Sequence, residues 1–572
     1  MKLRSLSVAV IPVFCLLIAG DLHADRGSFG AAPEVGSQAW PPAVYIIDPM
    51  TTQKILPDTS PRLFPVLGSA RDSTIRVSAC RGQFEAASLV LRPRHDIAGI
   101  TVEASDLTGA GGGLIPKSAV DIRLVKCWYQ AKVGDAMNIV GKRVLVPELL
   151  LRDDSLVKVD QAAKKNYLRV RVNDVAQYLD ISSDTTVFPA GAELRDSNTV
   201  QPFDVPGHSN KQVWLTLGIP RTADSGVYSG SLSLRKGGQV LGKIGIEVTV
   251  LPFDLKNPAL EYGLYYRGIL RPGPIAALTS EDKSVDQYAR EMQDMKDHGV
   301  LYPTLYQPFD SMLGQALAIR KKAGLPVDKL YAPGLSTGSG ADAGGLACLA
   351  SRAKRWKAFV QPYGYGELYA YGRDEAEGEA LRAQAAAWQA VHSAGVKVFA
   401  ACYAGAAAVV GGTLDLGILN GSFNPQEVAE WHALGKKVFN YDNPQAGVED
   451  ADIYRRNYGI QLLCAGYDGA MDYAYQHGFG HIWNDFDDPG YRDHVFAYPT
   501  SDGVVPTIQW EGFREGVDDV RYLTTLAGVT DASAYASVCA LVPKNADLGL
   551  IRETIIRRIL STARPRAGHG IR

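Results

Sequence analysis

Between Glu261 and Asp487, short apolar runs alternate with helical stretches, and this alternation restricts the chain to folds built on a parallel sheet. The runs are Glu261–Ile269, Val300–Gln307, Gly366–Glu375, Val396–Gly405, Asp415–Gly421, Lys436–Pro444 and Gly480–Asp487. The intervening helical patterns cover Ser284–His298, Met312–Ala323, Glu377–Ser393, Val428–Leu434 and a long stretch from Tyr454 to Tyr475. Seven or eight such units over residues 256–531 predict a (β/α)8 TIM-like barrel. An open doubly wound sheet is the alternative. It calls for a GxGxxG turn after the first strand, and Gly268–Pro274 reads GILRPGP.

Residues 41–255 have a different rhythm. Short runs rich in β-branched and aromatic residues, such as Thr74–Ser78, Ala87–Leu91, Val120–Val125 and Tyr167–Val172, are separated by Gly, Pro and Asp. They predict a β-sandwich, with Gln212–Pro220, Gly226–Leu234 and Ile244–Phe253 as a three-stranded meander. The chain is therefore multidomain, β followed by α/β. Residues 532–572 read as a peripheral helical extension with a tail beyond Arg564.

At the N-terminus, Lys2 and Arg4 precede an apolar run from Val8 to Gly20, with small residues at Gly20 and Ala24. This pattern reads as a secretory signal peptide over 1–24, followed by a linker over 25–40, and implies a secreted or periplasmic protein. An uncleaved anchor is the alternative, although the run is shorter than the ~20 residues of a spanning helix, and no later stretch is long enough to span. With 59 Lys+Arg against 61 Asp+Glu, the net charge of −2 lacks the basic footprint of a nucleic-acid binder. The six cysteines after the leader form no CxxC or Cys/His spacing, so they read as buried free thiols and no metal site is expected. No cofactor motif is present, and the oligomeric state is not legible.

In a barrel, reactive groups sit at the carboxyl ends of the strands. Those ends supply Arg267, Tyr306, Gln307, Asp374, Glu375, Tyr403, Asn440, Tyr441, Asp442, Trp483, Asn484, Asp485 and Asp487. The set is rich in acids, amides and aromatic rings, which suits a polyhydroxylated ligand. Each has a plainer reading. Asp374-Glu375 would suit the N-terminus of the helix that follows, Tyr441-Asp442 an Asx turn before Pro444, and Trp483 a buried barrel position. Asn484, Asp485 and Asp487 lack the Gly and terminal Glu of a calcium loop. The Tyr473–Tyr475 segment reads as helix packing.

The stretch from Asp374-Glu375 to Gln509–Leu523 (QWEGFREGVDDVRYL) resembles glycoside hydrolase family 123, the β-N-acetylgalactosaminidases and their relatives, including a preceding sandwich. Trp510-Glu511, Arg514-Glu515-Gly516, Asp519 and Tyr522 carry the likeness, and the Asp-Glu pair is also similar to that of family 20 hexosaminidases. Ala376 stands where Pro is common and Gln509 where Arg is frequent. The resemblance implies substrate-assisted retaining hydrolysis of a β-linked 2-acetamido sugar. In that reading Asp374 orients the acetamido N–H and Glu375 is general acid and base. It also brings Trp510 and Glu511 in as candidate pocket residues, although an exposed helix ion pair is the ordinary reading of Glu511 and Arg514. Two alternatives stand beside it. One is a glycosidase for a non-acetamido sugar that pairs Glu375 with Asp442 or Asp485, and the other is a non-catalytic carbohydrate-binding protein.

Overall fold

A computed structural model describes residues 41–67, 73–273, 278–338, 342–542 and 546–562, which belong to one compact unit. The expected signal peptide, the linker and the tail beyond Arg564 lie outside the described residues.

The N-terminal strands are β1 (Ala43–Ile47), β2 (Thr74–Ala79), β3 (Phe84–Arg92), β4 (Ile97–Ala104), β5 (Val120–Val133), β6 (Ile139–Leu151), β7 (Val157–Asp160), β8 (Lys165–Val172), β9 (Val175–Asp180), β10 (Phe203–Val205), β11 (Lys211–Gly218), β12 (Gly226–Lys236) and β13 (Gln239–Val250). One sheet runs β1-β3-β11-β5-β6, and the main path of the facing sheet runs β10-β4-β12-β13-β2. Leu89, Leu91, Leu124 and Leu215 of the first sheet meet Ile100, Leu232, Ile246 and Val248 of the second in one core. The expected meander is divided between the two sheets: β11 pairs β3 and β5, whereas β12 and β13 pair each other in the facing sheet. Local strand pattern does not encode partner choice. The turn at Pro220–Ser225 therefore crosses between layers, because both faces need apolar rows to bury. A third sheet, β9-β8-β7, stands beside them.

Eight parallel strands follow: β14 (Glu261–Leu264), β15 (Tyr302–Pro303), β16 (Lys329–Ser336), β17 (Glu367–Tyr371), β18 (Lys397–Cys402), β19 (Leu416–Asn420), β20 (Lys437–Tyr441) and β21 (Gly469–Asp472). They pair in the order β15-β14-β21-β20-β19-β18-β17-β16. Leu305 N–H donates to Tyr331 O at 2.8 Å and Gly334 N–H to Leu305 O at 3.0 Å, which nearly closes the barrel between β15 and β16. Residues alternate with period two. Tyr331, Tyr369, Phe399, Ile418, Phe439 and Met471 fill the interior, while Leu330, Leu368, Val398, Leu419, Val438 and Ala470 face the helices.

The connections carry α1 (Val285–Asp297), α2 (Leu313–Ala323), α3 (Ala343–Val360), α4 (Gly378–Arg382), α5 (Ala385–Ser393), α6 (Ala406–Val410), α7 (Pro425–Ala433), α8 (Ala451–Asn457) and α9 (Ile460–Cys464). Helix α1 shows why such segments form. Ser284 and Gln287 make a reciprocal capping box, and Tyr288, Met292 and Met295 put one apolar stripe on the strands. The stretch expected as one helix from Glu377 is two, α4 and α5. The long helix expected over Tyr454–Tyr475 is also wrong: it stops at Cys464, and Gly469–Asp472 is the last barrel strand. There Gly469 fits against Glu261 O, which a Cβ would approach to 2.2 Å. The run expected as that strand, Gly480–Asp487, has no strand pairing and lies in a long excursion beyond the barrel.

Helices α10 (Ile508–Val529), α11 (Ser533–Cys539) and α12 (Leu548–Thr562) close the molecule. They are not peripheral. Arg552 of α12 is 6% exposed and donates to Asp519 and Glu515 of α10 at 2.5 and 2.6 Å. Glu511 of α10 accepts from Trp214 Nε1 and Thr216 Oγ1 of β11, which ties barrel to sandwich. The free-thiol expectation fails for two cysteines: Cys464 and Cys539 form a disulfide joining α9 to α11, a proximity that a separation of 75 residues conceals.

Candidate active site

Parity along the barrel strands delivers a ring of tyrosines to its mouth. Tyr371 and Tyr441 are the last inward residues of β17 and β20, and Tyr265 and Tyr473 lie just past the ends of β14 and β21. Asp374 and Glu375 follow β17 in a turn whose Glu375 N–H donates to Ala401 O of β18 at 3.2 Å. This turn precedes α4, whose N-cap is Glu377, so neither acid lies in that helix's first turn. Both carboxylates are open to solvent.

Each carboxylate is held by hydroxyls. Glu375 Oε1 accepts from Tyr441 and Oε2 from Tyr403 at 2.7 Å. Asp374 Oδ1 accepts from Tyr371 at 2.5 Å, and the Tyr371 hydroxyl lies 3.1 Å from that of Tyr265. Surrounding protein desolvates Asp374 and raises its carboxyl above the usual range, against the lowering hydrogen bond from Tyr371 and with help from the Glu375 charge. Tyr403 is pushed up to about 12, first by its hydrogen bond to Glu375 and then by burial, so it remains a donor. Glu375 has φ of 46° and Asp442 has φ of 52°, left-handed conformations that disfavour residues carrying a Cβ. Such strain concentrates at functional sites.

Across the mouth, Arg267 donates through Nε to Glu281 Oε1 at 2.8 Å and through Nη1 to the Tyr473 hydroxyl at 3.1 Å, with its guanidinium 5.4 Å from the Tyr306 ring centre. Tyr473 bonds His477 Nδ1 at 3.0 Å. Asp442 accepts from Asn420 Nδ2 at 3.0 Å, and its N–H donates to the buried Asp472 Oδ1 at 3.2 Å. The rim thus offers two solvent-open carboxylates, several hydroxyl donors and a cation. Among the described residues no three His, Cys, Asp or Glu side chains gather as metal ligands.

Residues 65–236 match the family model described as the glycoside hydrolase 123 N-terminal domain. The fold is also similar to that of a family 123 glycoside hydrolase from Clostridium perfringens, a structure described for glycolipid glycan hydrolysis. The TM-score is 0.57 at 12% identity, covering 85% of this chain and 93% of that one. Residues 65–236 thus resemble the N-terminal domain of glycoside hydrolase family 123. A family 39 glycoside hydrolase from the gut symbiont Bacteroides cellulosilyticus WH2 superposes with a TM-score of 0.32 at 10% identity, covering 61% of this chain and 76% of that one. No curated protein matches by sequence.

Asp374, Glu375, Arg267, Tyr306, Tyr403, Tyr441 and Asp442 come together at the barrel mouth. Gln307 and Asn440 are fully buried and spent on Leu270 and on Leu419 O and Gly421 O, Asp487 accepts from His481 N–H in the excursion beyond the barrel, and five further candidates also stay away from the mouth. Trp483 is 1% exposed, donates to Pro499 O and packs against Trp128 and Tyr498, so it offers no face to a ligand. Asn484 is buried and donates to Ser183 O. Asp485 is buried against Arg492 at 2.6 Å, which removes it as a partner for Glu375. Trp510 is fully buried, stacked on His298 and bonded to Asp294. Glu511 is buried in the joint with the sandwich and pairs Arg514 there, not as a surface ion pair. The first three were misplaced because Gly480–Asp487 is not a strand end. The last two hold the molecule together. Tyr265, Tyr371 and Tyr473 were missed, and their signal was parity: each sits at or just past a strand end, where inward side chains reach the mouth.

Proposed function

We propose that this protein is a secreted glycosidase that cleaves β-linked 2-acetamido sugars by substrate-assisted, retaining hydrolysis. The observation that carries the reading is the adjacent Asp374 and Glu375 pair, solvent-open at a strand's carboxyl end, with separate tyrosine hydroxyls orienting each carboxylate. The family 123 relation supports the hydrolase class. The Cys464–Cys539 disulfide supports an oxidising compartment and agrees with the N-terminal apolar run. Among the described residues no helix is long and apolar enough to cross a membrane. A (β/α)8 barrel is the architecture in which this site operates.

In this mechanism the acetamido carbonyl oxygen attacks the anomeric carbon as the glycosidic bond breaks, and Glu375 gives its proton to the departing oxygen. The ring so formed is an oxazolinium, and Asp374 accepts its N–H hydrogen bond and offsets its charge. Glu375, now anionic, takes a proton from water as that water attacks the same carbon, reopening the ring. Tyr441 and Tyr403 hold Glu375 at the turn, and Tyr371 does the same for Asp374. Preorganised geometry of this kind removes reorientation from the barrier.

The test is a pair of aryl glycosides differing only in the 2-acetamido group, together with a thiazoline analogue of the oxazoline. Strong preference for the acetamido substrate and tight thiazoline inhibition, weakened in Asp374→Asn, are expected. Trapping of a covalent glycosyl-enzyme on Asp442 by a 2-fluoro sugar would replace this mechanism with the paired-carboxylate one.

A further inference from the structure

We infer that Phe479 and Tyr491 form a sugar-binding platform continuous with the catalytic mouth, so that the enzyme grips an extended glycan and not a single terminal residue. This inference rests on the glycosidase reading and deepens it. Rings lead outward from the site in steps of about 5 Å: Tyr265 to Tyr473 at 5.5 Å, Tyr473 to His477 at 5.4 Å, His477 to Phe479 at 4.7 Å, and Phe479 to Tyr491 at 5.1 Å. The inner members are engaged at the mouth, where Tyr473 bonds Arg267 and His477. The outer two are among the exposed large apolar side chains, Phe479 at 37% and Tyr491 at 48%, and they stack on each other with planes 22° apart.

The platform is built into the fold. Phe479 N–H donates to the buried Asp493 at 2.8 Å, Tyr491 N–H to Asp488 at 2.8 Å, and Ile139 N–H of the sandwich to Gly490 O at 2.8 Å. The Tyr491 backbone also bridges that of Asn138, so the loop between β5 and β6 anchors the main chain from which the outermost ring projects. A fixed aromatic face costs little conformational entropy on binding, and its apolar surface matches the C–H face of a pyranose while its edge leaves hydroxyls wet. Between the platform and the mouth, burial and the Arg267 charge push His477 down to about 4, which leaves a neutral imidazole suited to a hydroxyl and not to an anion. Two exposed rings amid Gly478, Gly480 and Asp488 offer the footprint of one or two sugars, too small a patch for a stable protein interface.

The experiment compares wild type, Tyr491→Ala and Phe479→Ala on three substrates sharing the cleaved bond: an aryl 2-acetamido glycoside, an oligosaccharide lengthened on its reducing side, and one lengthened on its non-reducing side. Both variants should keep aryl-glycoside turnover within twofold while kcat/KM on one of the lengthened substrates falls about tenfold or more, as expected when a remote contact worth about 1.4 kcal/mol is removed. The affected substrate gives the direction of the glycan. Unchanged rates on both lengthened substrates, with wild type active on all three, would overturn the platform and leave the glycosidase reading standing. If wild type cleaves none of them, that reading fails. Calorimetry with the same oligosaccharides then decides the platform alone: binding by wild type that is lost in Tyr491→Ala upholds it, and equal or absent binding refutes it. Loss confined to a glycolipid in phosphatidylcholine vesicles, with free oligosaccharides unaffected, would assign the rings to lipid and also refute it.

Discussion

Glu375 is held in a left-handed backbone conformation by Ala401 and clasped by two tyrosine hydroxyls, an arrangement whose only evident return is placement of the carboxylate. Replacing its transferable proton in Glu375→Gln should slow cleavage of a poor leaving group about 10²- to 10⁴-fold, measured as kcat, with a smaller loss on an activated aryl leaving group. Asp374 supplies a pH signature. Its carboxyl is raised, and its role needs the anion, so kcat/KM should fall as pH drops through a value above the ~3.9 of a free aspartate. Tyr371→Phe removes a hydrogen bond that lowers that pKa, so the acid limb of the pH–rate profile should move to higher pH with the fold intact. A limb that stays in place would show that Tyr371 acts only through packing. The dipeptide was visible in the sequence because an apolar strand ran straight into it. The tyrosine clasp was not, because Tyr403 and Tyr441 come from other strands 28 and 66 residues away.

Helix α10 shows how an element-level pattern can be right in placement and wrong in meaning. Its Gly512 and Gly516 allow α8 to approach so closely that a Cβ at Gly512 would lie 2.1 Å from Ala451 O, and one at Gly516 2.7 Å from Arg455 O. Gly512→Ala should therefore destabilise the protein by about 1–3 kcal/mol, the usual range for overpacking, read as a lower urea midpoint. Arg455 and Arg552 meet Asp519 on the same helix, and Arg552 also meets Glu515 and Glu85. Arg552→Met leaves those carboxylates buried and short of a partner, and should cost about 3–5 kcal/mol in the same assay. A change under about 0.5 kcal/mol in either variant would contradict the packing account. The Glu511–Asp519 motif was legible as helix. That its charges are interior was not, because an amphipathic pattern does not say how many neighbours will cover the polar face.

At the scale of the whole molecule, sandwich and barrel meet through a buried charge cluster. Arg492 faces Glu148 of β6 together with Glu449 and Asp485, and even with Lys54 reaching Glu449 at 3.2 Å the cluster holds three carboxylates against two cations in a largely dry site. Burial pushes Asp485 up to about 7 despite the pull of Arg492, aided by Glu148 and Glu449. For a carboxyl raised in the folded state, the stabilisation is complete below the unfolded value near 4 and is lost as pH rises through about 7. Wild type should thus lose more thermal stability between pH 5 and pH 8 than Asp485→Asn does. Equal losses in the two proteins would show that Asp485 is ionised throughout. The sandwich and the barrel were separable in the sequence by their different rhythms, but this joint was not, since its charges come from distant segments.

The sequence by itself determined what depends on neighbours along the chain: the change from strand-rich to alternating rhythm near Leu255, the capped helix α1, the end of β17 and the acids that follow it. Each is encoded by period or by a cap within a few residues, where local sterics and hydrogen bonds decide the outcome. Only the tertiary structure decided which strands pair across the sandwich, that Gly469–Asp472 rather than Gly480–Asp487 completes the barrel, that Cys464 reaches Cys539, and that Trp483, Trp510 and Glu511 are interior. A four-residue strand carries too little period to announce itself. Burial of a polar or aromatic residue depends on surfaces brought together from hundreds of residues apart, which no local pattern contains.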